Sequence, residues 1–166
     1  MNFLITKKKI KKNIFKKENI YFLVMIIAIF FLDRVTKLEV INNFNENTYY
    51  INNYINLDLI WNIGIGFGLL STDSYIIYNF VTVIISLVLI SLIYLIIKSE
   101  NSDKFIFSII VGGALGNYYD RLTYKAVPDF IDLHYNNFHW FTFNVADIFI
   151  TLGILVYLGK GLFIKN

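Results

Sequence analysis

The sequence predicts an all-α integral membrane protein with four transmembrane helices and a small extracytoplasmic β-sheet that forms a cradle. Across 166 residues the chain is 57% hydrophobic and only 16% charged, a balance that argues against a soluble domain. Its basic residues are also unevenly distributed. Seven lysines precede residue 18, whereas no Lys or Arg occurs between Lys37 and Lys98.

The first predicted helix covers about residues 19–37, where the apolar run 20–32 ends at Asp33. A lysine-rich start followed by a short apolar run is also typical of a cleaved signal peptide. No small-residue cleavage site follows the run, because the next residues are DRVTKLEV. We therefore favour an uncleaved helix, preceded by a lysine-rich cytoplasmic segment at residues 1–18.

Three further helices complete a single domain at residues 19–166. The second, about 74–98, contains 23 consecutive uncharged residues at 75–97, and about 20 residues suffice to cross a bilayer core. The third, about 104–121, has an apolar run that ends at Asp120, and the fourth, about 144–164, begins beside Asp147. Gly112 and Gly116 in the third helix form a Gly-x-x-x-Gly pair, which is typical of close helix packing.

Basic residues in short loops predict the orientation of these helices. The lysine-rich start, the turn with Lys98 and Lys104, and the C-terminus with Lys165 are expected to be cytoplasmic. The loops 38–74 and 121–143 are then outside. In the first, YINLDLIW (54–61) alternates apolar and polar residues, which predicts a strand of a small external sheet.

Acidic residues are predicted to converge at the outer face. Asp33 and Asp120 end outward-running helices, and Asp147 begins an inward-running one, so all three lie at one depth. In the loop between Asp120 and Asp147, Pro128 predicts a rigid turn that holds Asp129. Two carboxylates close together cannot both ionise freely, so one becomes an acid and the other a base, as in aspartic proteases.

That chemistry requires neither metal nor cofactor, and we expect neither. The chain has no cysteine, which excludes thiol nucleophiles and zinc–thiolate sites. His134 and His139 lie in what is predicted to be an exposed aromatic loop, without an acidic or thiol partner, so they are weak metal candidates. Asp132 in the same loop is expected to be a solvated turn residue.

Five blocks, in order along the chain, carry a resemblance to a known family. They are DRVTK (33–37), NIGIGFG (62–68), GGALGNYYDR (112–121), VPDFID (127–132) and FNVAD (143–147). Together they resemble the bacterial lipoprotein signal peptidases (signal peptidase II), which are four-helix membrane aspartic peptidases. The resemblance covers nearly the whole chain after its lysine-rich start.

The resemblance implies that the catalytic pair is Asp129 and Asp147, whereas helix depth alone favoured Asp120 with Asp147. It also implies a set of supporting or substrate-binding residues: Asp33, Lys37, Asn62, Gly64, Asn117, Asp120, Arg121 and Asn144. The chain departs from the family pattern in having Arg34 where Gln is common, Gly66 where Ala is common, and Pro128 in place of an aliphatic residue.

Two roles within this set stay open at this point. Asp33 and Lys37 lie four apart on one helix face, so a simple surface ion pair competes with a role in the site. Arg121 either binds the substrate or holds the neighbouring Asp120.

The implied activity is removal of signal peptides from prolipoproteins, by a cut before the diacylglyceryl-modified cysteine, in the bacterial cytoplasmic membrane. The expected partners are that lipidated substrate and membrane lipid, with no nucleic acid, and the enzyme is expected to be a monomer. A non-enzymatic membrane protein with a structural acid cluster is the main alternative. A presenilin-like protease is disfavoured, because GIGF has Phe67 where that family requires Asp.

Overall fold

The computed structural model describes residues 17–43, 48–64 and 75–163 of the chain. These residues form four helices: α1 (Asn19–Asn43), α2 (Tyr75–Lys98), α3 (Asn101–Tyr124) and α4 (Val145–Phe163). They also form four strands: β1 (Tyr49–Asn52), β2 (Ile55–Asn62), β3 (Val127–Tyr135) and β4 (Phe138–Phe143). Phe67 and Gly68, in the second resembling block, lie outside the described residues, as do residues 1–16 of the lysine-rich segment.

All four predicted helices are present, with small differences at their ends. α1 continues to Asn43, beyond the predicted end at Lys37. In that last turn the Asn43 amide donates a 2.7 Å hydrogen bond to Glu39, four residues earlier, a pairing that supports a continuing helix. The predicted ends at residues 74 and 164 lie outside the described part of the chain.

Among the described residues, three helices are long and apolar enough to cross a membrane: Asn19–Asn43, Ile76–Lys98 and Val145–Leu162. The remaining helix, α3, is more polar and packs against each of the other three helices. Because α3 lies in the middle of the bundle, many of its side chains contact protein on several sides. Its composition therefore reflects helix–helix contacts, whereas α1, α2 and α4 expose large apolar side chains along their length.

Close approach of α1 and α3 depends on the two glycines that the sequence singled out. A Cβ atom at Gly112 would lie 2.8 Å from Cβ of Ile29, which is too close for real side chains. A Cβ atom at Gly116 would overlap the carboxylate of Asp33. The predicted packing role of the Gly-x-x-x-Gly pair is confirmed, and Gly116 also makes room for a polar group.

The two halves of α3 pack against different kinds of neighbour. Near its start, Ile106, Phe107 and Ile110 form a core with Leu92 and Ile96 of α2 and Ile150 of α4. Near its end, the buried residues are polar and include Asp120 and Arg121. The polar end faces the strands, so the bundle has an apolar core at one end and a site-forming region at the other.

The four strands form one antiparallel sheet in the order β1-β2-β3-β4. The strand predicted at 54–61 is confirmed as β2, at 55–62. Most of the segment 121–143, in which the sequence analysis predicted no strand, forms β3 and β4. Pro128 is not in a turn: it pairs with Trp61 as the second residue of β3. Proline is tolerated near a strand start because few ladder hydrogen bonds need its missing N–H there.

A register shift in β2, between Leu57 and Ile60, decides which face of the sheet its asparagines serve. Before the shift, Asn56 pairs with Asp132; after it, Asn62 pairs with Val127. Because side chains alternate along a strand, Val127 and Asp129 share one face of β3 and Asp132 lies on the other. The irregularity therefore aims Asn62 at the face of Asp129 and Asn56 at the face of Asp132.

Candidate active site

The N-terminus of α4 is capped by two reciprocal hydrogen bonds between Asn144 and Asp147. The backbone N–H of Asp147 donates to Asn144 Oδ1 at 3.0 Å, and the backbone N–H of Asn144 donates to Asp147 Oδ2 at 3.1 Å. This is a capping-box arrangement, which satisfies N–H groups that have no partner within the helix. It also holds the Asp147 carboxylate in one orientation at the helix N-terminus.

The second carboxylate, Asp129, lies on β3 and is held by two side-chain amides. Asn62 Nδ2 donates to Asp129 Oδ2 at 2.8 Å, and Asn144 Nδ2 donates to Asp129 Oδ1 at 2.6 Å. The Asn62 amide is itself oriented, because its Oδ1 accepts a 2.8 Å hydrogen bond from the backbone N–H of Gly64. Asn144 therefore contacts both aspartates and links the strand to the helix start.

Asn117 of α3 connects Asp147 to a lysine. Its Nδ2 donates to Asp147 Oδ1 at 2.8 Å, and its Oδ1 accepts from Lys37 Nζ at 2.7 Å. The lysine therefore fixes which way the Asn117 amide points. As a result, Asp147 accepts hydrogen bonds from a side-chain amide and from a backbone N–H.

Asp33, Arg34, Lys37 and Asp120 form a buried set of charges between α1 and α3, which we call the bundle cluster. Lys37 Nζ donates to Asp33 at 2.8 Å and to Asp120 at 2.7 Å. The side chains of Lys37 and Asp33 are fully buried, so the surface-pair interpretation is wrong. Asp33 also accepts a 2.9 Å hydrogen bond from the backbone N–H of Ala146, which ties the cluster to the start of α4.

Arg34, and not Arg121, pairs with Asp120. The guanidinium of Arg34 lies 4.9 Å from the ring centre of Tyr119 as well. The sequence interpretation treated Arg34 only as a departure from the family pattern and missed this role. A cation inside an apolar helix, beside Asp33 and one turn from Lys37, was the signal that could have revealed it.

Arg121 takes a different position. One arm of its guanidinium donates to the backbone carbonyl of Gly64, and the Tyr78 hydroxyl donates to the Arg121 carbonyl at 2.9 Å. Its Nη1 atom is buried and has no hydrogen-bond partner among the described residues. This leaves a charged donor available at the edge of the site.

A cavity of about 250 Å³ lies between α2, α3, α4 and the two central strands. Its polar lining comes from six residues: Asn62, Asn117, Arg121, Asp129, Asp147 and Thr151. Apolar side chains, including Ile85 and Ile150, line the rest. Both aspartates therefore face one partly apolar space.

Burial raises the pKa of the Asp129 carboxyl from 3.8 to about 7, and the nearby charge of Asp147 adds to the increase. Hydrogen bonds from Asn62 and Asn144, together with the charge of Lys37, lower that pKa and only partly offset the effect of burial. Neither Asp129 nor Asp147 has a cation within ion-pairing distance in the described part of the chain. A substantial fraction of Asp129 is therefore protonated near neutral pH, where an unperturbed aspartate has lost its proton.

The ten residues singled out from the sequence fall into two connected groups. Seven line the cavity or orient its two aspartates: Asn62, Gly64, Asn117, Arg121, Asp129, Asn144 and Asp147. Asp33, Lys37 and Asp120 belong to the bundle cluster beside them.

Two expectations about the β3–β4 region are wrong. Asp132 is a buried strand residue and not a solvated turn residue. His134 is buried in a strand as well. An acidic side chain, which the sequence interpretation did not expect, lies beside both histidines: Asp132 Oδ2 is 2.7 Å from Nδ1 of His139 and 3.6 Å from Nδ1 of His134.

Comparisons with known proteins show which chains this one is similar to. The model of the family described as signal peptidase (SPase) II matches residues 25–163. A lipoprotein signal peptidase of Pelagibacter ubique (strain HTCC1062) is 48% identical over 153 residues, which are 90% of this chain and 92% of that protein. One from Francisella tularensis subsp. novicida (strain U112) is 42% identical, covering 70% of this chain and 74% of its own. A bacterial membrane enzyme solved by the in meso method at 1.9 Å superposes with a TM-score of 0.74 and 26% identity, over 87% of this chain and 94% of its own.

Proposed function

The chain belongs to the signal peptidase II family, and on that premise we propose that it is an aspartic endopeptidase that removes signal peptides from prolipoproteins. The cut falls before the diacylglyceryl-modified cysteine, and no cofactor takes part. One observation supports the aspartic mechanism above all: the carboxylates of Asp129 and Asp147 line the same cavity, and Asn144 donates a hydrogen bond to each of them. A non-enzymatic membrane protein would have no reason to bury these two carboxylates together with no cation paired to either among the described residues.

In the proposed mechanism, Asp147 is the ionised base and Asp129 holds the proton. Asp147 accepts a backbone N–H at a helix N-terminus, where the helix dipole favours negative charge. Burial raises the pKa of Asp129 to about 7, which favours its protonated form. Asp147 takes a proton from water, and the water oxygen attacks the scissile carbonyl carbon. Asp129 donates a hydrogen bond to the carbonyl oxygen as it gains negative charge.

Collapse of the tetrahedral intermediate completes the reaction. The peptide C–N bond breaks, the proton held by Asp147 passes to the leaving amine, and a new carboxyl terminus remains. Asp147 is ionised again and Asp129 keeps its proton, so the pair returns to its starting state. The buried Nη1 donor of Arg121, at the edge of the cavity, binds a backbone carbonyl of the substrate.

The proposed membrane arrangement has four crossings, with α3 as the fourth. The distribution of basic residues supports cytoplasmic termini, and thus an active site near the extracytoplasmic face of a bacterial cytoplasmic membrane. Residues 19–166 act as one peptidase domain and as a monomer. The substrate's acyl chains stay in the bilayer against the exposed apolar faces of the helices, while its peptide reaches the aspartates.

The test is cleavage of a lipidated precursor peptide by purified enzyme in detergent or lipid. Asp129→Asn and Asp147→Asn are each expected to lower kcat by about 10³-fold or more, because general acid–base groups contribute about 10²–10⁴-fold each and the pair acts as a unit. Asp58→Asn, on the same sheet and away from the cavity, is the matched control and keeps its activity.

Size-exclusion profiles and thermal unfolding show whether each variant stays folded. Substantial turnover by either folded dyad variant contradicts the mechanism. Absence of cleavage by the folded wild type on several lipidated precursors contradicts the function itself.

A further inference from the structure

A second buried polar group lies on the sheet, away from the catalytic cavity. Asp132 and His134 are two residues apart on β3 and therefore point to the same face. His139 of β4 pairs directly with His134, and Asn56 of β2 pairs with Asp132. We call these four residues the hairpin cluster. It lies on the face of β3 opposite that of Asp129, so the proposed peptidase mechanism makes no use of it.

We propose that Asp132, His134 and His139 form a zinc-binding site. Nδ1 of His139 lies 2.7 Å from Asp132 Oδ2, and Nδ1 of His134 lies 3.6 Å from the same oxygen. One ligand atom from each of the three residues falls within 4.8 Å of the other two. Tetrahedral Zn²⁺, with bonds of about 2.0–2.2 Å, needs ligand atoms roughly 3.3 Å apart. Small side-chain movements bring the three into that geometry.

Unsatisfied polar atoms in the cluster point independently to a missing ligand. Nδ1 of His134 is buried and has no hydrogen-bond partner among the described residues, although the residue is only 5% exposed. Oδ1 of Asn56 is also buried and has no hydrogen-bond partner among the described residues. A buried polar atom without a partner costs free energy, which a bound cation or its water ligand would recover. An ion pair between Asp132 and a protonated His139 leaves both atoms unsatisfied.

The donor set selects the kind of metal. Two imidazoles and one carboxylate suit zinc and its first-row neighbours, whereas Mg²⁺ and Ca²⁺ prefer oxygen ligands throughout. The side chain of His139 is 57% exposed, so a cation can reach the cluster from solvent. Three protein ligands leave the fourth zinc position to water or to Asn56.

Bound zinc would hold β4 against β3, and β3 carries Asp129. The expected consequence is a more stable sheet, since a metal that binds only the folded state raises its stability. This site is independent of the proposed peptidase activity, so either can fail while the other stands.

The chain allows a clean experiment, because it has two histidines, both in the cluster, and no cysteine. The full-length enzyme is purified in detergent without a histidine tag, stripped with chelator, and titrated with ZnCl₂ in competition with a chromophoric chelator. We expect one zinc per chain and a rise of several degrees in the unfolding temperature. Co²⁺ in place of zinc gives visible absorption bands typical of nitrogen–oxygen coordination.

His139→Ala removes an exposed ligand without opening the core, and it is expected to weaken zinc binding at least tenfold and abolish the thermal shift. Asp132→Asn should have the same effect, and Asp58→Asn, a carboxylate of the same sheet outside the cluster, should bind zinc as the wild type does. A wild type that takes up no zinc, or His139→Ala that binds zinc with wild-type affinity, overturns the proposal. Cleavage of the lipidated precursor is a separate measurement and does not bear on this outcome.

Discussion

The bundle cluster and the pair formed by Asp129 and Asp147 each contain two buried aspartates, but their surroundings differ in charge. In the bundle cluster, Asp33 and Asp120 share two cations, Lys37 and Arg34. Asp129 and Asp147 are held instead by neutral amides and a backbone N–H, through Asn62, Asn117 and Asn144. The two sets of carboxylates thus differ in the charge of the groups that hold them.

Under the proposed mechanism, the same residue type serves structure in the bundle cluster and chemistry in the pair of Asp129 and Asp147. A buried carboxylate paired with a cation stabilises the fold only while that partner remains, because the charge left behind is uncompensated. A buried carboxylate without a cation binds its proton more tightly, as the raised pKa of Asp129 illustrates. Loss of a residue from the bundle cluster should therefore reduce stability. Loss of Asp129 or Asp147 should instead reduce turnover.

The largest stability effect is expected from Lys37→Met, which leaves two buried carboxylates with a single cation. Breaking a buried ion pair from one side costs about 3–5 kcal/mol, because the remaining charge is uncompensated. Lys160→Met is the matched control: its pair with Asp103 is about one-third exposed, and such pairs contribute about 0–1 kcal/mol.

Thermal or denaturant unfolding in detergent, followed by tryptophan fluorescence, measures both variants beside Asp129→Asn. Equal losses of stability in Lys37→Met and Lys160→Met would show that the bundle cluster is not a structural element.

A smaller effect, divided between stability and activity, is expected at Asn144. Asn144→Ala removes the helix cap and the bond to Asp129, and loss of a cap costs about 0.5–2 kcal/mol. Turnover should fall by about 100-fold, because Asp129 loses a group that orients it. Asn144→Ser restores the cap through its hydroxyl but is too short to replace the amide that reaches Asp129.

The serine variant is therefore expected to unfold nearly as the wild type does and to cleave nearly as poorly as the alanine variant. Unfolding temperature and kcat, measured together, separate the two roles. Full activity in Asn144→Ser contradicts the bridging role of Asn144.

The smallest effect is a shift in pH dependence. With Asp129 as the proton holder, kcat/KM of the free enzyme should fall as pH rises through about 7, the pKa of that carboxyl. The Asn62 hydrogen bond favours the ionised carboxylate and so lowers this pKa. Asn62→Ala removes that effect, and the alkaline limb should move to higher pH.

Rates on one lipidated peptide across a pH series measure the shift, with Asp58→Asn as the unshifted control. If the alkaline limb of the Asn62→Ala rate profile moves to lower pH instead, a group other than Asp129 controls that limb.

Much of the architecture could be predicted from the sequence, because hydropathy and charge patterns act within a single helix. Four helices at the predicted positions, the strand at β2 and the packing of Gly112 with α1 are confirmed. Among the described residues, three of these helices are long and apolar enough to span a membrane. The β3–β4 region was misinterpreted, since Pro128 and its polar neighbours have the composition of a loop. Pairing with β2 on one side overrode that local preference.

The sequence by itself determined the membrane class, the helices and, through ordered motifs, the family. Only the tertiary structure decided the partners: Arg34 meets Asp120 across 86 residues, and Asn144 joins Asp129 to Asp147. The physical reason is that hydropathy is summed over neighbours in the chain. Contacts between distant residues depend instead on how helices approach at glycines and on where β2 shifts its register.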